Sequence, residues 1–400
     1  MAIFGFNHLI YNGIKIIYQM LKAIKIRLYL STEQEIYINK LLGSYRFIYN
    51  QCLDFKIKKY NNHKETATFK DLGKHLTSLK NEFEWLRESH SKVLQQSLIN
   101  LEQAYKSFFK NGNGFPKFKS KHQKKQSCRF PVDAIMGVKG NRINITRKLN
   151  DIHFKCSKRD ERELNKYQDK IKSGTLSKTK SGKYYFSILI DTKIKKELPD
   201  TDKIIGIDLG IKDFIVDSNG EKFENIKVIR NNKTKLAKLH RELSRKQKNS
   251  SNKNKARIKL AKFHEKLNNI KENYLHKVVN QLLSENQTIV MEDLNIKGMM
   301  KNHCLARSIQ ELSLYRFKEM LVYKAKWYNR DIIQVDKFFP SSKKCSCCGE
   351  KNINLTLSDR HWKCQFCGCE HDRDFNAATN LRNEGLRILG LSSSLMPLEG

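Results

Sequence analysis

The sequence is short of proline and has no long apolar run. Only 5 of its 400 residues are proline and 39% are hydrophobic, so the chain can bury one large core or two smaller ones. We expect two or three folded domains rather than disorder. No stretch approaches the roughly 18 uncharged apolar residues that a membrane-spanning helix needs, which excludes a membrane-spanning protein.

Acidic residues are too few to balance the basic ones. The chain has 77 Lys and Arg against 41 Asp and Glu, which gives a formal net charge of +36. Such an excess indicates a polyanionic partner, and nucleic acid is the first candidate.

Cysteines are sparse outside one short segment. Six of the ten lie between Cys345 and Cys369, a pattern that indicates a metal site rather than a disulfide framework. We therefore expect a reducing, intracellular compartment.

The first 19 residues are apolar enough to suggest a signal peptide. Polar residues interrupt the run at Asn7, Asn12, Lys15 and Gln19, and no small-residue cleavage site follows. Because the first clearly patterned strand begins just after Met20, we interpret Met20 as the start of translation and residues 1–19 as a dispensable extension.

The N-terminal half is predicted to be a small β-domain with a helical insertion. The strand KAIKIRLYL precedes a capping box, either Ser31 with Gln34 or Thr32 with Glu35, and then a periodic helix. Short alternating segments up to GKYYFSILID predict antiparallel strands. Between them, HSKVLQQSLINLEQAYKSFFK predicts a core-packed helix whose buried stripe is Leu94, Leu98, Leu101, Tyr105 and Phe108.

Two basic segments are candidate nucleic-acid contacts. The first interleaves lysines with Phe115, Phe118 and Phe130, a mixture that suits single strands or RNA, although a solvated basic loop is the alternative. The second, residues 231–263, holds twelve Lys and Arg against the single acid Glu242 on two predicted helices joined by a loop. The candidate contacts are Lys117, Lys119, Lys121, Lys124, Arg241, Arg245, Lys246, Lys248 and Arg257.

Carboxylates lie at three places in the C-terminal half, where an α/β domain is predicted from Lys203 onward. Asp208 sits inside the apolar strand KIIGIDLG, where a charge is costly unless it binds a cation. Glu292 ends a second strand, and Asp374 opens a helix. Singly these are weak signals, since acids also favour helix N-termini. Their order on the first strand, the fourth strand and the last helix predicts an RNase H-type nuclease.

Converging carboxylates suit one kind of chemistry. They can hold two Mg²⁺ ions about 4 Å apart, which promote in-line hydrolysis of a phosphodiester. Asp293 and Asp372 stand beside these acids in the chain, and whether either assists is left open.

The cysteine segment has the spacing of two zinc knuckles. Two Cys-x-x-Cys pairs are separated by fifteen residues, and a glycine follows each pair where the backbone turns toward sulfur. Four thiolates close the coordination shell, so the predicted zinc is structural. The predicted ligands are Cys345, Cys348, Cys364 and Cys367. The alternative ligands are Cys347 and Cys369, with His361 and His371 as lesser rivals.

Together these motifs resemble the TnpB family, the OrfB-type accessory proteins of bacterial insertion sequences, which are similar to compact type V CRISPR nucleases. The resemblance covers nearly the whole chain after about residue 23. The matching segments are KAIKIRLYLSTEQE, GSYRFIYN, LQQSLINLEQAYKSFF, GFPKFKSK, GKYYFSI, GIDLGIKDF, RELSRKQK, MEDLNIKGM, PSSKKCSCCG, WKCQFCG and DRDFNAATN.

The resemblance implies a fold of the α/β and α+β multidomain class. It comprises a small β-barrel wedge domain with a helical recognition insertion, and an RNase H-like RuvC nuclease domain with an inserted zinc ribbon. The expected bounds are 20–50 and 116–198 for the wedge, 51–115 for the insertion, 199–340 and 371–400 for the nuclease with its tail, and 341–370 for the zinc module.

The resemblance also implies an activity, RNA-guided cleavage of double-stranded DNA beside a short target-adjacent motif, with a guide RNA derived from the transposon end. The nuclease acids then fall on Asp208, Glu292 and Asp374, the last preferred to Asp372 because the family acid lies two residues before an asparagine. Expected cofactors are Mg²⁺ and structural Zn²⁺. The expected location is the prokaryotic cytoplasm, in association with the nucleoid.

Three alternatives remain at this point. An acid-based transposase uses a similar fold, although no His-x-His motif of the single-strand tyrosine transposases occurs. A guided DNA-binding repressor that has lost cutting would not need the three acids. A plain zinc-ribbon nucleic-acid-binding protein leaves the buried Asp208 unexplained.

Overall fold

The structure is a computed structural model that describes residues 3–4, 21–121, 126–192, 198–356 and 358–391. The chain divides into two compact units. The N-terminal unit is Ile17–Lys193, and the C-terminal unit is Met1–Ile16 with Ile194–Gly400. The first described strand, β1 (Ile3–Phe4), belongs to the C-terminal unit.

The N-terminal unit is built on an antiparallel sheet of seven strands. Its first strand, β2 (Leu21–Tyr29), buries Ile24, Ile26 and Leu28 on one face, as its alternating sequence predicts. The other strands are β3 (Gln126–Pro131), β4 (Gly137–Lys139), β5 (Arg142–Asn144), β6 (Ile152–Lys155), β7 (Ile171–Lys178) and β8 (Tyr184–Asp191).

The order of this sheet is β3-β7-β8-β2-β6-β5-β4. The first strand of the unit therefore lies in the middle, between β8 and β6, which confirms that a helical segment is inserted into a β-domain. Among the described residues β3 and β4 are its two edges and do not pair with each other. The sheet is thus not a closed barrel, and the expected barrel closure is not observed.

Three long helices form the insertion. They are α1 (Thr32–His63), α2 (Phe69–Glu82) and α3 (Ser91–Asn111). The capping box at the start of α1 is the one between Ser31 and Gln34, with each side chain accepting from the other residue's backbone N–H. On α3, Leu94, Leu98 and Leu101 are buried as predicted.

The apolar stripe of α3 is less buried at the C-terminal end of the helix than at its N-terminal end. Tyr105 packs half-buried against the helical core, and Phe108 contacts Phe109 and Phe115 at the helix end. A short fourth helix, α4 (Lys158–Lys166), connects β6 to β7.

The C-terminal unit is built on a mixed sheet whose order is β1-β13-β12-β9-β10-β11. Three parallel strands, β9, β12 and β13, form its centre, and β10 and β11 extend it by antiparallel hairpins. These strands are β9 (Ile204–Leu209), β10 (Asp213–Asp217), β11 (Lys222–Glu224), β12 (Thr288–Glu292) and β13 (Asp331–Val335). At the edge, β1 pairs antiparallel with β13.

Helices lie along the sheet and connect its strands. They are α5 (Val228–Asn231), α6 (Lys233–Ser244), α7 (Ser251–Glu285), α8 (Ile296–Met299), α9 (His303–Leu312), α10 (Leu314–Tyr328) and α11 (Arg373–Ile388). Between β13 and α11, a small hairpin forms from β14 (His361–Lys363) and β15 (Glu370–Asp372). No helix in the described part of the chain is both long and apolar enough to cross a bilayer.

The predicted pair of basic helices is confirmed as α6 and α7. Ser250 caps α7 by accepting from the backbone N–H of Lys253 at 3.1 Å. The second helix runs to Glu285, well past the end of the basic segment, because its later turns bury leucine and valine in the core.

The two faces of strand β9 pack against different elements. Ile205 and Ile207 belong to the core that α7 and α10 cover. Gly206 points to the opposite face, where a Cβ atom at this position would lie 2.1 Å from the Ala378 carbonyl oxygen of α11. A Cβ on Gly385 of α11 would likewise lie 2.3 Å from a methyl group of Val290 on β12. Helix and sheet therefore meet at backbone distance.

We predict that Gly206→Ala loosens α11 from the sheet. The new methyl group meets backbone atoms, which cannot turn aside as a flexible side chain can, so we expect a loss of about 3 kcal/mol or more in unfolding free energy. Thermal denaturation and hydrogen exchange of the α11 amides measure it.

The matched control is Gly73→Ala in the middle of α2, where a Cβ meets nothing within 4 Å. This change should stabilise its helix by up to about 1 kcal/mol. Equal and small effects of the two substitutions contradict the close packing of α11.

Candidate active site and cysteine cluster

The three predicted acids reach one face of the central sheet. Side chains two residues apart on a strand point to the same side, so Asp208 faces α11 as Gly206 does, and Glu292 does so as Val290 does. Ile207 lies opposite Met291 in the parallel pair, which makes Asp208 and Glu292 the next residues on neighbouring strands.

Asp374 completes the group from the first turn of α11. The three carboxylates are close enough for Glu292 and Asp374 to act electrostatically on Asp208. Their oxygen atoms do not all lie within 4.8 Å of one another, so without a cation the group is open rather than tight.

Burial raises the pKa values of Asp208 and Glu292, and like charge adds to the shift at Asp208. Burial, together with the negative charges of Asp374 and Glu292, raises the pKa of Asp208 to about 7, against a smaller opposite effect of Arg373. Burial also raises the pKa of Glu292. Such a site is costly for a metal-free protein at neutral pH, and a divalent cation relieves the cost.

The two neighbouring acids are occupied by other contacts. Asp372 caps α11 by accepting from the backbone N–H groups of Asp374 and Phe375, and it accepts from Lys222 Nζ at 2.9 Å. Asp293 is more than half exposed and accepts from Lys318 Nζ at 2.7 Å. Asp374, in contrast, acts electrostatically on Asp208, which favours Asp374 as the third acid.

Arg360 is a residue that the sequence motifs missed. Its Nη1 atom donates to both carboxylate oxygens of Asp374, at 3.0 and 3.2 Å. It lies between the two cysteine pairs, fourteen positions before its partner, and no pattern in the sequence marks it. Its backbone oxygen also accepts from the N–H of Arg373, which ties this loop to the start of α11.

The four predicted zinc ligands come together. The Sγ atoms of Cys345, Cys348, Cys364 and Cys367 all lie within 4.8 Å of one another. Two of the Sγ–Sγ distances are 3.6 Å, close to the roughly 3.8 Å edge of a tetrahedron with Zn–S bonds of about 2.3 Å. The donor set fits Zn²⁺.

Each knuckle turns at its glycine. Gly349 and Gly368 have φ values of +84° and +75°, and their N–H groups donate to the carbonyls of Cys345 and Cys364. A backbone hydrogen bond from Cys369 lowers the pKa of the Cys367 thiol to about 6, which favours the thiolate that binds metal.

Buried asparagines join the first knuckle to α11. Asn376 Nδ2 donates to the carbonyl of Lys344, and Asn376 Oδ1 accepts from the N–H of Ser346. One turn later, Asn380 donates to the carbonyls of Ser341 and Lys344. The helix that carries Asp374 and the cysteine module therefore share one hydrogen-bond network.

Of the alternative ligands, His371 and Cys347 do lie near the cluster. The ligand atoms of Cys345, Cys347 and His371 form a second group within 4.8 Å. His361 is exposed at the start of β14 and belongs to neither group.

The first candidate nucleic-acid segment lies in the N-terminal unit. Lys117 and Lys121 are exposed, as are Phe115 and Phe118, whereas Lys124 lies outside the described residues. Lys119 is half-buried, with its Nζ 3.7 Å from the ring centroid of Tyr49, and burial lowers its pKa to about 8.

The second candidate segment lies in the C-terminal unit. All five of its proposed contacts are exposed, namely Arg241, Arg245, Lys246, Lys248 and Arg257. Glu242 pairs with Lys259 at 3.1 Å, so the single acid of the segment is already neutralised.

Three family models match separate parts of the chain. One described as "Probable transposase" matches residues 186–303, and one described as "Cas12f1-like, TNB domain" matches residues 315–381. A third, described as "Helix-turn-helix domain", matches residues 20–65. In that range the structure has strand β2 followed by the single long helix α1 rather than two helices joined by a turn.

Known proteins resemble the chain over nearly its full length. A protein of Streptomyces pristinaespiralis is 32% identical over 381 residues, which cover 95% of this chain and 93% of that protein. InsQ of Escherichia coli (strain K12) is 30% identical over 386 residues, covering 92% and 93%. Both carry the name "Putative RNA-guided DNA endonuclease".

A solved structure shares the fold. The protein chain in the "Cryo-EM structure of the Cas12f1-sgRNA-target DNA complex" has a TM-score of 0.58 and 14% sequence identity, covering 92% of this chain and 99% of its own length. The chain thus has a mixed α/β multidomain fold similar to that of this Cas12f1 chain. The chain belongs to the TnpB family of insertion-sequence proteins.

We predict that Asp208→Asn stabilises the protein in Mg²⁺-free buffer at pH 8. Because the folded-state pKa of about 7 lies above the ordinary 3.8, the folded protein retains a proton that the unfolded chain releases. The stability that Asp208 contributes is full below about pH 4 and is lost as the pH rises through 7.

Melting temperatures between pH 4 and pH 8 test this expectation. The variant should melt higher than the wild type at pH 8, and the gap should shrink as the pH falls. Asp202→Asn, at an exposed acid two residues before β9, is the control and should show no such gap. A constant difference at every pH contradicts the raised pKa.

Proposed function

We propose that this protein is an RNA-guided DNA endonuclease whose nuclease centre is RuvC-like. The observation that carries the proposal is the convergence of Asp208, Glu292 and Asp374 on one face of the central sheet, where burial and like charge raise the pKa of Asp208. The names of the two full-length relatives support the same activity.

The sheet topology supports the RuvC-like assignment. Taken in chain order, its five main strands β9 to β13 are arranged 3-2-1-4-5, with the first three antiparallel and the last two parallel to the first. The last helix packs on this sheet and brings the third acid, as the RNase H-type arrangement requires. The zinc module interrupts the nuclease between β13 and α11.

The three acids would hold Mg²⁺ during cleavage. Their oxygen atoms are the ligands that Mg²⁺ prefers, and burial together with the neighbouring negative charges of Asp374 and Glu292 raises the pKa of Asp208. When bound, Mg²⁺ activates water and neutralises charge on the leaving oxygen. Asp208 and Glu292 are fixed by adjacent strands, whereas Asp374 is positioned by the capped first turn of α11.

Arg360 positions the third acid. Its Nη1 atom donates to both oxygens of the Asp374 carboxylate from the side of the cysteine module, and such charge-assisted hydrogen bonds are stronger than those between neutral groups. A structural zinc ion would hold the loop that carries Arg360 in place. It would therefore affect catalysis indirectly, without contacting the reacting groups.

The positive charge suits a protein that holds RNA and DNA by their backbones. Base pairing with a guide selects the target, while exposed lysines and arginines contact phosphate without reading sequence. The exposed aromatics Phe115 and Phe118 are available to stack on unpaired bases. We propose that the guide comes from the transposon end and that the protein acts in the prokaryotic cytoplasm, at the nucleoid.

Purification from cells that carry the native flanking DNA tests the whole proposal. We expect a discrete RNA to co-purify, and the complex to cut double-stranded DNA that matches this RNA when Mg²⁺ is present. Asp208→Ala should abolish cutting while RNA binding survives, and Asp202→Ala should leave both intact. Absence of bound RNA, or equal cutting by the Asp208 variant, would falsify the proposal.

We further predict that Arg360→Gln lowers the cleavage rate by about 10- to 100-fold, the usual cost of losing a residue that orients a metal ligand. Cleavage at increasing Mg²⁺ concentrations measures it, because a misplaced Asp374 should also raise the Mg²⁺ requirement.

Lys363→Gln is the matched control, since Lys363 lies in the same module and pairs with the exposed Glu370. An Arg360 variant that cuts normally at low Mg²⁺ removes the positioning role and leaves the carboxylate assignment standing.

A further inference from the structure

The cysteine module contains more metal-binding groups than one zinc ion can use. Beside the four predicted ligands it has two further thiols, Cys347 and Cys369, and the buried imidazole of His371. Cys347 directly precedes the knuckle cysteine Cys348, and Cys369 follows Cys367 after one glycine, so the backbone turns that gather the knuckles keep both thiols beside the cluster.

Their geometry is that of a second ligand group that shares one member with the first. The Sγ atom of Cys345 lies 3.0 Å from His371 Nε2, and the ligand atoms of Cys345, Cys347 and His371 all lie within 4.8 Å of one another. The Cys369 thiol interacts with the Cys347 thiol but lies outside this group, so its side chain would have to turn toward the ion to supply a fourth ligand.

We propose that the module binds a second thiophilic metal ion, in the first place Zn²⁺, with the sulfur of Cys345 bridging the two ions. Three of its ligands, Cys345, Cys347 and His371, are already grouped, and Cys369 would turn in as the fourth. This inference rests on the proposed zinc site at the first four cysteines and adds a dinuclear centre to it.

The ligand chemistry suits such a centre. Thiolate and imidazole are the usual zinc donors, and a tetrahedral site places sulfur and nitrogen about 3.5 Å apart. The Cys345 and His371 atoms need to separate by only roughly half an ångström to admit an ion between them. Two divalent ions with six thiolates carry the same net charge as one divalent ion with four thiolates. Binding the second ion therefore leaves the net charge of the cluster unchanged.

The shared sulfur distinguishes this arrangement from a simple exchange of ligands. If Cys347 or Cys369 merely replaced one of the four knuckle cysteines, the imidazole of His371 would have no metal to bind. It would then serve only as a hydrogen-bond partner of the Cys345 sulfur. The dinuclear centre instead uses this imidazole and the Cys347 thiol, which share the second ligand group with Cys345, and it would draw in Cys369 as well.

The second ion would fasten the start of the last helix. His371 pairs with Trp362 across the β14–β15 hairpin and immediately precedes Asp372, the residue that caps α11. Metal binding at His371 therefore fixes the strand that leads into Asp374. In this way the second ion would stabilise the position of the third acid without touching it.

Metal stoichiometry tests the proposal. The full-length protein, purified under reducing conditions with its thiols verified as reduced, is saturated with Zn²⁺, passed over a desalting column and analysed for zinc per chain. We expect two ions in the wild type and one in the double variant Cys347→Ser/Cys369→Ser. Cys156→Ser, which removes a free thiol of the N-terminal unit, is the control and should retain two.

A second measurement addresses the bridge itself. With ¹¹³Cd²⁺ in place of zinc, two resonances with mutual scalar coupling are expected, because the two ions share the Cys345 sulfur. Two resonances without coupling overturn the shared ligand.

The outcomes separate this inference from the proposal on which it rests. One zinc per chain in the wild type refutes the second ion and leaves the first site intact, whereas no zinc refutes both. Two ions retained by the double variant refute the assigned ligands. Cys347 is exposed and Cys369 only half-buried, so serine at these positions should leave the fold intact, which circular dichroism checks.

Discussion

The contact on which this protein depends most is the approach of α11 to the central sheet at Gly206. No side chain separates the helix from β9 at this point, and Gly385 plays the same part against β12. Any Cβ at Gly206 meets backbone, which can give way only if the whole helix moves. The distance of α11 from the sheet is thus set by the absence of two side chains, while hydrogen bonds from Arg360 hold the Asp374 carboxylate itself.

Charge is distributed around this contact in a consistent way. Acids at the edge of the site are paired with lysines, Asp372 with Lys222 and Asp293 with Lys318. At the sheet centre, burial and the negative charges of Asp374 and Glu292 raise the pKa of Asp208, while Asp374 itself pairs with Arg360. At neutral pH the carboxylate group around Asp208 therefore lowers the stability of the fold, and a bound divalent cation would restore it. Perturbed pKa values of this kind are typical of functional sites.

Local patterns predicted much of the fold. The capping box at Ser31, the leucine stripe of α3 and the two basic helices depend on residues close in the chain, and the structure has all of them. Closure of the barrel depends instead on pairing between two edge strands that are distant along the sheet. No local sequence motif predicts such pairing. The seven-stranded sheet accordingly remains open among the described residues.

The site could be predicted to a similar extent. Asp208 was recognisable because a carboxylate inside an apolar strand is costly, and the knuckle cysteines because their spacing is specific. Arg360 was not, since a lone arginine in a polar loop has no distinguishing neighbours and its partner becomes apparent only in the folded chain. His371 is likewise a weak ligand candidate from sequence alone, because a single histidine has no distinguishing neighbours, although in the folded chain its ring lies against Cys345.

Because the cysteine module precedes α11 in the chain, the three acids are not synthesised together. Two acids are present once β12 is made, but the third is synthesised only after the whole module, some eighty residues later in the chain. A nascent chain still on the ribosome, or one truncated before Arg373, carries the basic surface without a complete set of acids. The basic surface is therefore complete before the set of three acids, so in a nascent chain a surface suited to nucleic acid would precede the assembled carboxylate site.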